Sequence, residues 1–170
     1  EHMVKKIKSK YKHVSVVFGT HSLYSFPEIV YKAICKNERV ISHIESEGRI
    51  AEDIPVYREH NASAWVSIMY GCNNFCSYCI VPYARGRVRS KSLSVVKEEL
   101  ISLAQNGYKE IVLTGINLSA YKDDENDLCG VVEMAENIDG IERIRLGSIE
   151  PDRIDKKDLM YSFDNGQTWL

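Results

Sequence analysis

Cys72, Cys76 and Cys79 stand in the run Gly71-Cys72-Asn73-Asn74-Phe75-Cys76-Ser77-Tyr78-Cys79, and three thiols at C-x3-C-x2-C spacing can ligate metal from a single loop. Thiolates hold iron-sulfur cubes, and a cube that only carries electrons takes four of them. Three leave one iron without a protein ligand, a coordination seat where a small molecule can bind and react. Cys35 and Cys129 lie 37 residues before and 50 residues after the trio, with no local partner that marks either as a fourth ligand. Zinc is the plainer alternative, but a structural zinc takes four ligands and usually a second, distant pair of Cys or His. No second pair exists, and His21 and His60 stand alone. Inert buried thiols are the other alternative, yet three within eight residues of a loop that also holds Gly71, Asn73 and Asn74 are hard to explain as packing.

The cysteine loop needs a scaffold, and the hydrophobic periods around it supply one. Trp65-Val66-Ser67-Ile68-Met69-Tyr70 reads as a strand that delivers the loop at its C-terminal end. Ser92 or Ser94 can cap a helix whose apolar positions Leu93, Val96, Leu100 and Leu103 step by three and four, closing at Gly107. Glu110 to Gly115 is a second buried strand, Asp127 starts a helix through Val131, Val132, Ala135 and Ile138 to Gly140, and Arg143 to Gly147 is a third strand. Strand, helix, strand, helix, strand implies parallel strands with right-handed crossovers. In parallel barrels, chemistry collects at the C-terminal strand ends, where the cysteine loop, Thr114 to Asn117 and Gly147 to Glu150 all fall. A full barrel of the largest kind needs about 200 residues or more; Ala62 to Leu170 supplies 109.

Upstream, Glu1 to Tyr11 has helix-forming composition, and His13 to Thr20 reads as a short strand. Ser25 and Pro27 suit a helix start with an apolar face of Ile29, Val30, Ala33 and Ile34, which also carries Cys35. Arg39 to Ile44 is a further strand, and Glu45 to Ser63 a linker. The fold class expected is therefore α/β: the end of one α/β domain over 1–60 with its linker, the first half of a (βα) barrel over 61–158, and an unassigned tail at 159–170.

A formal net charge of -2 with 44% hydrophobic and 27% charged residues is a globular composition, so nucleic-acid binding must come from a local patch. Apolar stretches fall short of a membrane span, and the basic start Lys5 to Lys10 is not followed by a signal-type apolar core. No membrane partner and a cytoplasmic location are expected. Five cysteines, three of them crowded, suit metal-binding thiols in a reducing compartment.

With these residues assembled, the chain resembles the radical S-adenosylmethionine superfamily and, within it, the tRNA methylthiotransferases, over roughly Glu1 to Asp152. The words that carry the resemblance are Gly71 to Tyr83, Arg85-Gly86-Arg87, Leu113-Thr114-Gly115-Ile116-Asn117, and Arg145-Leu146-Gly147-Ser148-Ile149-Glu150-Pro151. The stretch through Phe18-Gly19-Thr20-His21 is similar to the end of the family's N-terminal domain. The resemblance implies a [4Fe-4S] cluster on Cys72, Cys76 and Cys79, with S-adenosylmethionine chelating the open iron. It implies a 5'-deoxyadenosyl radical that takes hydrogen from C2 of a modified adenosine beside the tRNA anticodon, where a methylthio group is installed. A flavodoxin- or ferredoxin-like donor would supply the electron.

By the same analogy Tyr78 lies near an adenine, and Gly115 and Asn117 approach the methionine end of the cofactor. Ser148 and Glu150 hydrogen-bond the ribose or the reacting pocket. Each has an ordinary reading beside it: Gly115 as a strand-to-loop turn, Ser148 and Glu150 as the shape of a turn before Pro151. Arg85, Arg87 and Arg89, with Lys91, form a basic run beside Tyr83 where phosphate contacts would bring RNA to the site. Arg85 could instead pair with the cofactor carboxylate, and Arg89 and Lys91 could be solvated surface.

Three family traits are missing or mixed. The three cysteines that bind a second [4Fe-4S] cluster in such proteins are not in this chain, nor is the family's C-terminal RNA-binding module, so the chain alone is expected to be inactive. Trp65 to Tyr70 resembles enzymes acting on N6-isopentenyladenosine, whereas Thr114 to Leu118 and Arg145 to Pro151 resemble those acting on N6-threonylcarbamoyladenosine, toward which the reading leans. A non-catalytic iron-sulfur or RNA-associating domain is the competing function.

Overall fold

Alternation of apolar and polar side chains gives two of the strands their two faces. In the computed structural model, which describes residues 2–42, 56–58 and 62–150, the chain divides into two compact units, Glu1–Pro55 and Val56–Leu170. In the second unit, β3 (Ser63–Ser67) buries Ala64 and Val66 and leaves Trp65 68% exposed. β6 (Glu110–Thr114) buries Ile111, Val112 and Leu113, and β7 (Arg143–Leu146) alternates again. The order is β3-β6-β7, all parallel, with Trp65 opposite Val112 and Val112 opposite Arg145. Parallel neighbours require crossovers; α4 (Leu93–Gln105) and α5 (Leu128–Glu136) provide them.

Local signals explain both helices. Ser92 caps α4 by accepting the Val95 N–H at 3.4 Å, so of the two candidate caps it is Ser92 that acts, and Ser94 lies inside the helix. Asp127 caps α5 from the Gly130 N–H at 3.0 Å. Val96, Leu100 and Leu103 of α4 meet Ala64, Val66, Ile111 and Leu113 in one core with Val131, Val132 and Ala135 of α5. Cys129 is buried on α5.

The strand expected over Trp65–Tyr70 is two strands. β3 stops at Ser67, the Ile68 N–H still donates to the Thr114 carbonyl at 2.9 Å, and β4 (Met69–Tyr70) then turns to pair antiparallel with β5 (Arg89–Ser90). Between them α3 (Val81–Arg85) follows the cysteine loop, with Pro82 buried in its first turn, where a missing N–H costs nothing. Neither β5 nor α3 has an apolar period long enough to read. Among the described residues the three parallel strands form an open sheet, so the α/β class holds and a closed barrel is not seen.

In the first unit, α1 (His2–Lys10) precedes β1 (Val16–Phe18), a 3-10 turn (Thr20–Ser25), α2 (Phe26–Cys35) and β2 (Val40–Ser42), with β1 and β2 parallel. Arg39 closes α1 by donating to the carbonyls of Lys8 at 2.9 Å, Tyr11 at 2.8 Å and Ile7 at 3.3 Å, and to that of Val14 at 2.9 Å. Unsatisfied carbonyls at a helix C-terminus favour such a cation. Two expectations fail here. Ser25 makes no side-chain cap to α2, and the expected apolar face buries only Ile29, leaving Ile34 and Cys35 exposed. His60, most of the linker, Pro151 and the tail at 159–170 lie outside the described residues.

Candidate metal and cofactor site

The cysteine loop is anchored at its base by backbone. Gly71 sits at φ 73°, and a Cβ there would overlap the Arg87 and Gly86 carbonyl oxygens, so only glycine permits this approach. The Cys72 N–H donates to the Gly86 carbonyl at 3.2 Å, and the Val88 N–H to Asn73 Oδ1 at 3.2 Å. Phe75 then takes φ 48°, a left-handed conformation unusual for an aromatic residue, and Cys76 and Cys79 close a turn through the Cys79 N–H and Cys76 carbonyl at 2.9 Å.

All three thiols are free; Cys72 is buried and Cys76 and Cys79 are half-buried. The Asn74 N–H donates to Cys72 Sγ at 3.4 Å. No three His, Cys, Asp or Glu side chains among the described residues converge on a point for one metal ion. Three free thiols on one loop are a donor set that an iron-sulfur cube accepts, each thiolate meeting a separate iron.

The other two loops sit at the same ends of the parallel strands and are tied together. Gly115 follows β6, and a Cβ there would lie 2.5 Å from Met69 Cγ and 2.7 Å from its Sδ. The same thioether accepts the Asn117 N–H at 3.3 Å, linking β4 to the loop after β6. Asn117 is 1% exposed; its Oδ1 accepts from Ser119 Oγ at 2.7 Å, while its Nδ2 has no acceptor. A buried amide N–H without a partner costs on the order of 1–3 kcal/mol, which a bound acceptor would recover.

Ser148 accepts the Leu118 N–H through its backbone carbonyl at 3.0 Å, and the Glu150 N–H donates to Ser119 Oγ at 3.3 Å. Asn117, Ser148 and Glu150 are thus neighbours, with the side chains of Ser148 and Glu150 uncommitted among the described residues. Tyr78 is 90% exposed beside the thiols.

The basic run does not behave as one unit. Lys91 is buried and pairs with Glu99 Oε2 at 2.9 Å, while Glu99 Oε1 binds Arg58 at 2.6 Å. Solvated surface is therefore the wrong reading for Lys91; the carboxylate eight residues along, on α4, was the signal. Arg89 reaches back to the Arg85 carbonyl at 2.9 Å. Arg85 and Arg87 are exposed, Arg87 lying over the Phe75 ring. Sequence reading also missed Tyr121, whose hydroxyl donates to the Lys91 carbonyl at 2.8 Å, and whose burial, with the Asp123 charge adding, pushes its pKa up to about 12.

The profile described as Radical SAM superfamily matches residues 66–162. Relatives named tRNA-2-methylthio-N(6)-dimethylallyladenosine synthase include that of Acetivibrio thermocellus, 43% identical over 163 residues, covering 94% of this chain and 34% of the relative. Those of Pelotomaculum thermopropionicum and Alkaliphilus oremlandii are 44% and 45% identical, covering 89% and 88% of the chain and 35% and 32% of the relatives. The chain spans about a third of the length of these curated relatives. No helix among the described residues is long and apolar enough to cross a membrane.

Proposed function

Because the chain belongs to the radical S-adenosylmethionine superfamily, in its tRNA methylthiotransferase family, we propose that it carries the cluster-binding part of an enzyme that replaces the C2 hydrogen of a modified adenosine in tRNA by a methylthio group. The observation that carries this reading is the gathering, at one end of three parallel strands, of the cysteine loop, Gly115 to Asn117 and Gly147 to Glu150. Cys72, Cys76 and Cys79 are the ligands for a [4Fe-4S] cluster. Bound there, such a cluster supplies the one-electron reduction of the S-adenosylmethionine sulfonium.

Around that group the chain's own residues bind and orient. Asn117 Nδ2 donates to an acceptor on the methionine part of the cofactor. Gly115 makes room for the Met69 thioether under the loop that presents Asn117, Ser148 and Glu150 hold the cofactor's ribose, and Tyr78 covers an aromatic ring. The exposed sheet face that carries Trp65 and Arg145 is the inner wall of a half barrel over 61–158, with residues 1–60 the end of the preceding methylthiotransferase domain. The electron comes from a flavodoxin- or ferredoxin-like donor.

The names of the relatives favour N6-dimethylallyl (isopentenyl) adenosine over the threonylcarbamoyl substrate toward which the sequence words leaned. Trp65 to Tyr70 is the word that pointed this way. The words that pointed elsewhere lie in the two loops joined by the Leu118 to Ser148 hydrogen bond, where a shared cofactor would impose similar residues on either subtype.

Anaerobic loading with iron and sulfide, then S-adenosylmethionine and dithionite, tests the reading. The expected product is 5'-deoxyadenosine; a fully loaded cluster that yields none points to a non-catalytic iron-sulfur domain. In a chain of the relatives' length, methylthiolation should favour anticodon stem-loops bearing dimethylallyladenosine. Equal or better use of threonylcarbamoyladenosine would reverse the substrate assignment.

A further inference from the structure

At the cysteine loop, the exposed side chains of Phe75, Tyr83 and Arg87 make a layered surface. The Arg87 guanidinium carbon lies 4.3 Å from the centroid of the Phe75 ring, and Phe75 meets Tyr83 edge-on at 5.5 Å and 86°. Tyr83 is 74% exposed and Phe75 37%. The left-handed backbone at Phe75 holds the ring in this place at the expense of local strain.

We propose that Arg87, laid on Phe75 and flanked by Tyr83, is a stacking platform for an unpaired base of single-stranded RNA. The proposal rests on the tRNA reading above and gives Arg87 a role other than phosphate contact. A guanidinium with one face on an aromatic ring offers its other face to a nucleobase, and unpaired bases bind by stacking on aromatic and Arg planes. Charge selects the class of partner. From Asn61 to Lys97 the sequence has five Lys and Arg residues and no Asp or Glu, in a chain whose net charge is -2. Among the described residues, neither Arg85 nor Arg87 meets a carboxylate. Exposed aromatics beside uncompensated cations match a ligand that alternates flat rings with phosphates. Duplex RNA hides its bases, so a single-stranded loop fits.

The test uses the whole chain and a single-stranded RNA hexamer carrying one 2-aminopurine, titrated at low salt, with fluorescence reporting stacking. Binding should quench the probe. Arg87→Lys, which keeps the charge, should weaken binding about tenfold and abolish the quench while leaving the slope against log salt unchanged. Tyr83→Leu should behave likewise, guarding against a misfolded variant, and circular dichroism should match the parent. Arg85→Ala should instead reduce the salt slope by about one phosphate contact. Binding and quenching by Arg87→Lys equal to the parent would overturn the platform, and a loss confined to Arg85→Ala would leave RNA binding standing without it. A parent chain that forms 5'-deoxyadenosine but binds no hexamer up to millimolar concentration would remove the platform and spare the radical chemistry.

Discussion

Glu99 holds Arg58 through one carboxylate oxygen and Lys91 through the other, and the Lys91 side chain is only 7% exposed. Removing one partner of a buried pair leaves a charge without compensation, a loss of about 3–5 kcal/mol, whereas an apolar replacement of both is far milder. Glu99→Ala should therefore lower urea stability by that order, and adding Lys91→Met should recover much of it; a second change that only adds to the loss would refute the pairing. Tyr121 gives a pH signature. Its pKa is raised from 10.0 to about 12, so the folded state favours the neutral phenol. That stability is fully present below pH 10 and is lost as pH rises from about 10 to 12, on the order of 2–3 kcal/mol. Alkaline melts should show the decline, and Tyr121→Phe should flatten it; an identical decline in the variant would assign it to other groups.

Two glycines share a backbone conformation and differ in surroundings. Gly71 at φ 73° faces the Gly86 and Arg87 backbone, whereas Gly107 at φ 84°, closing α4, has nothing within 4 Å of an added Cβ. Gly107→Ala should cost only the conformational penalty, about 1–2 kcal/mol. Gly71→Ala should cost clearly more and also impair iron loading, because the β4–β5 pairing and the first thiol shift together. Equal cost at the two positions, with normal loading of Gly71→Ala, would show that the loop is not anchored there. At this scale the long elements were legible: α4 and α5 have complete periods and caps, β6 has an apolar run and β7 an apolar-polar alternation. Two-residue strands and the five-residue α3 have none, and the break at Ile68 appears only once β5 offers Met69 a partner.

Across the second unit, one face of the sheet packs on helices while the other carries Trp65, Val112 and Arg145 in register. If that face is the inner wall of a barrel, a chain of the relatives' length should shield Trp65. With Trp169→Phe removing the second indole, iodide should quench Trp65 freely in the present chain and several-fold less in the longer one; equal quenching would reject the half-barrel reading. Thiol spacing, strand and helix periods and capping side chains are properties of neighbouring residues, and they were enough to read the α/β class and the placement of the cysteine loop at the shared end of the strands. Arg87 on Phe75, Met69 beneath Asn117, Lys91 against Glu99 and the exposure of Cys35 were not legible. Each depends on how separately formed segments pack, and no local period records which atoms that packing brings within reach.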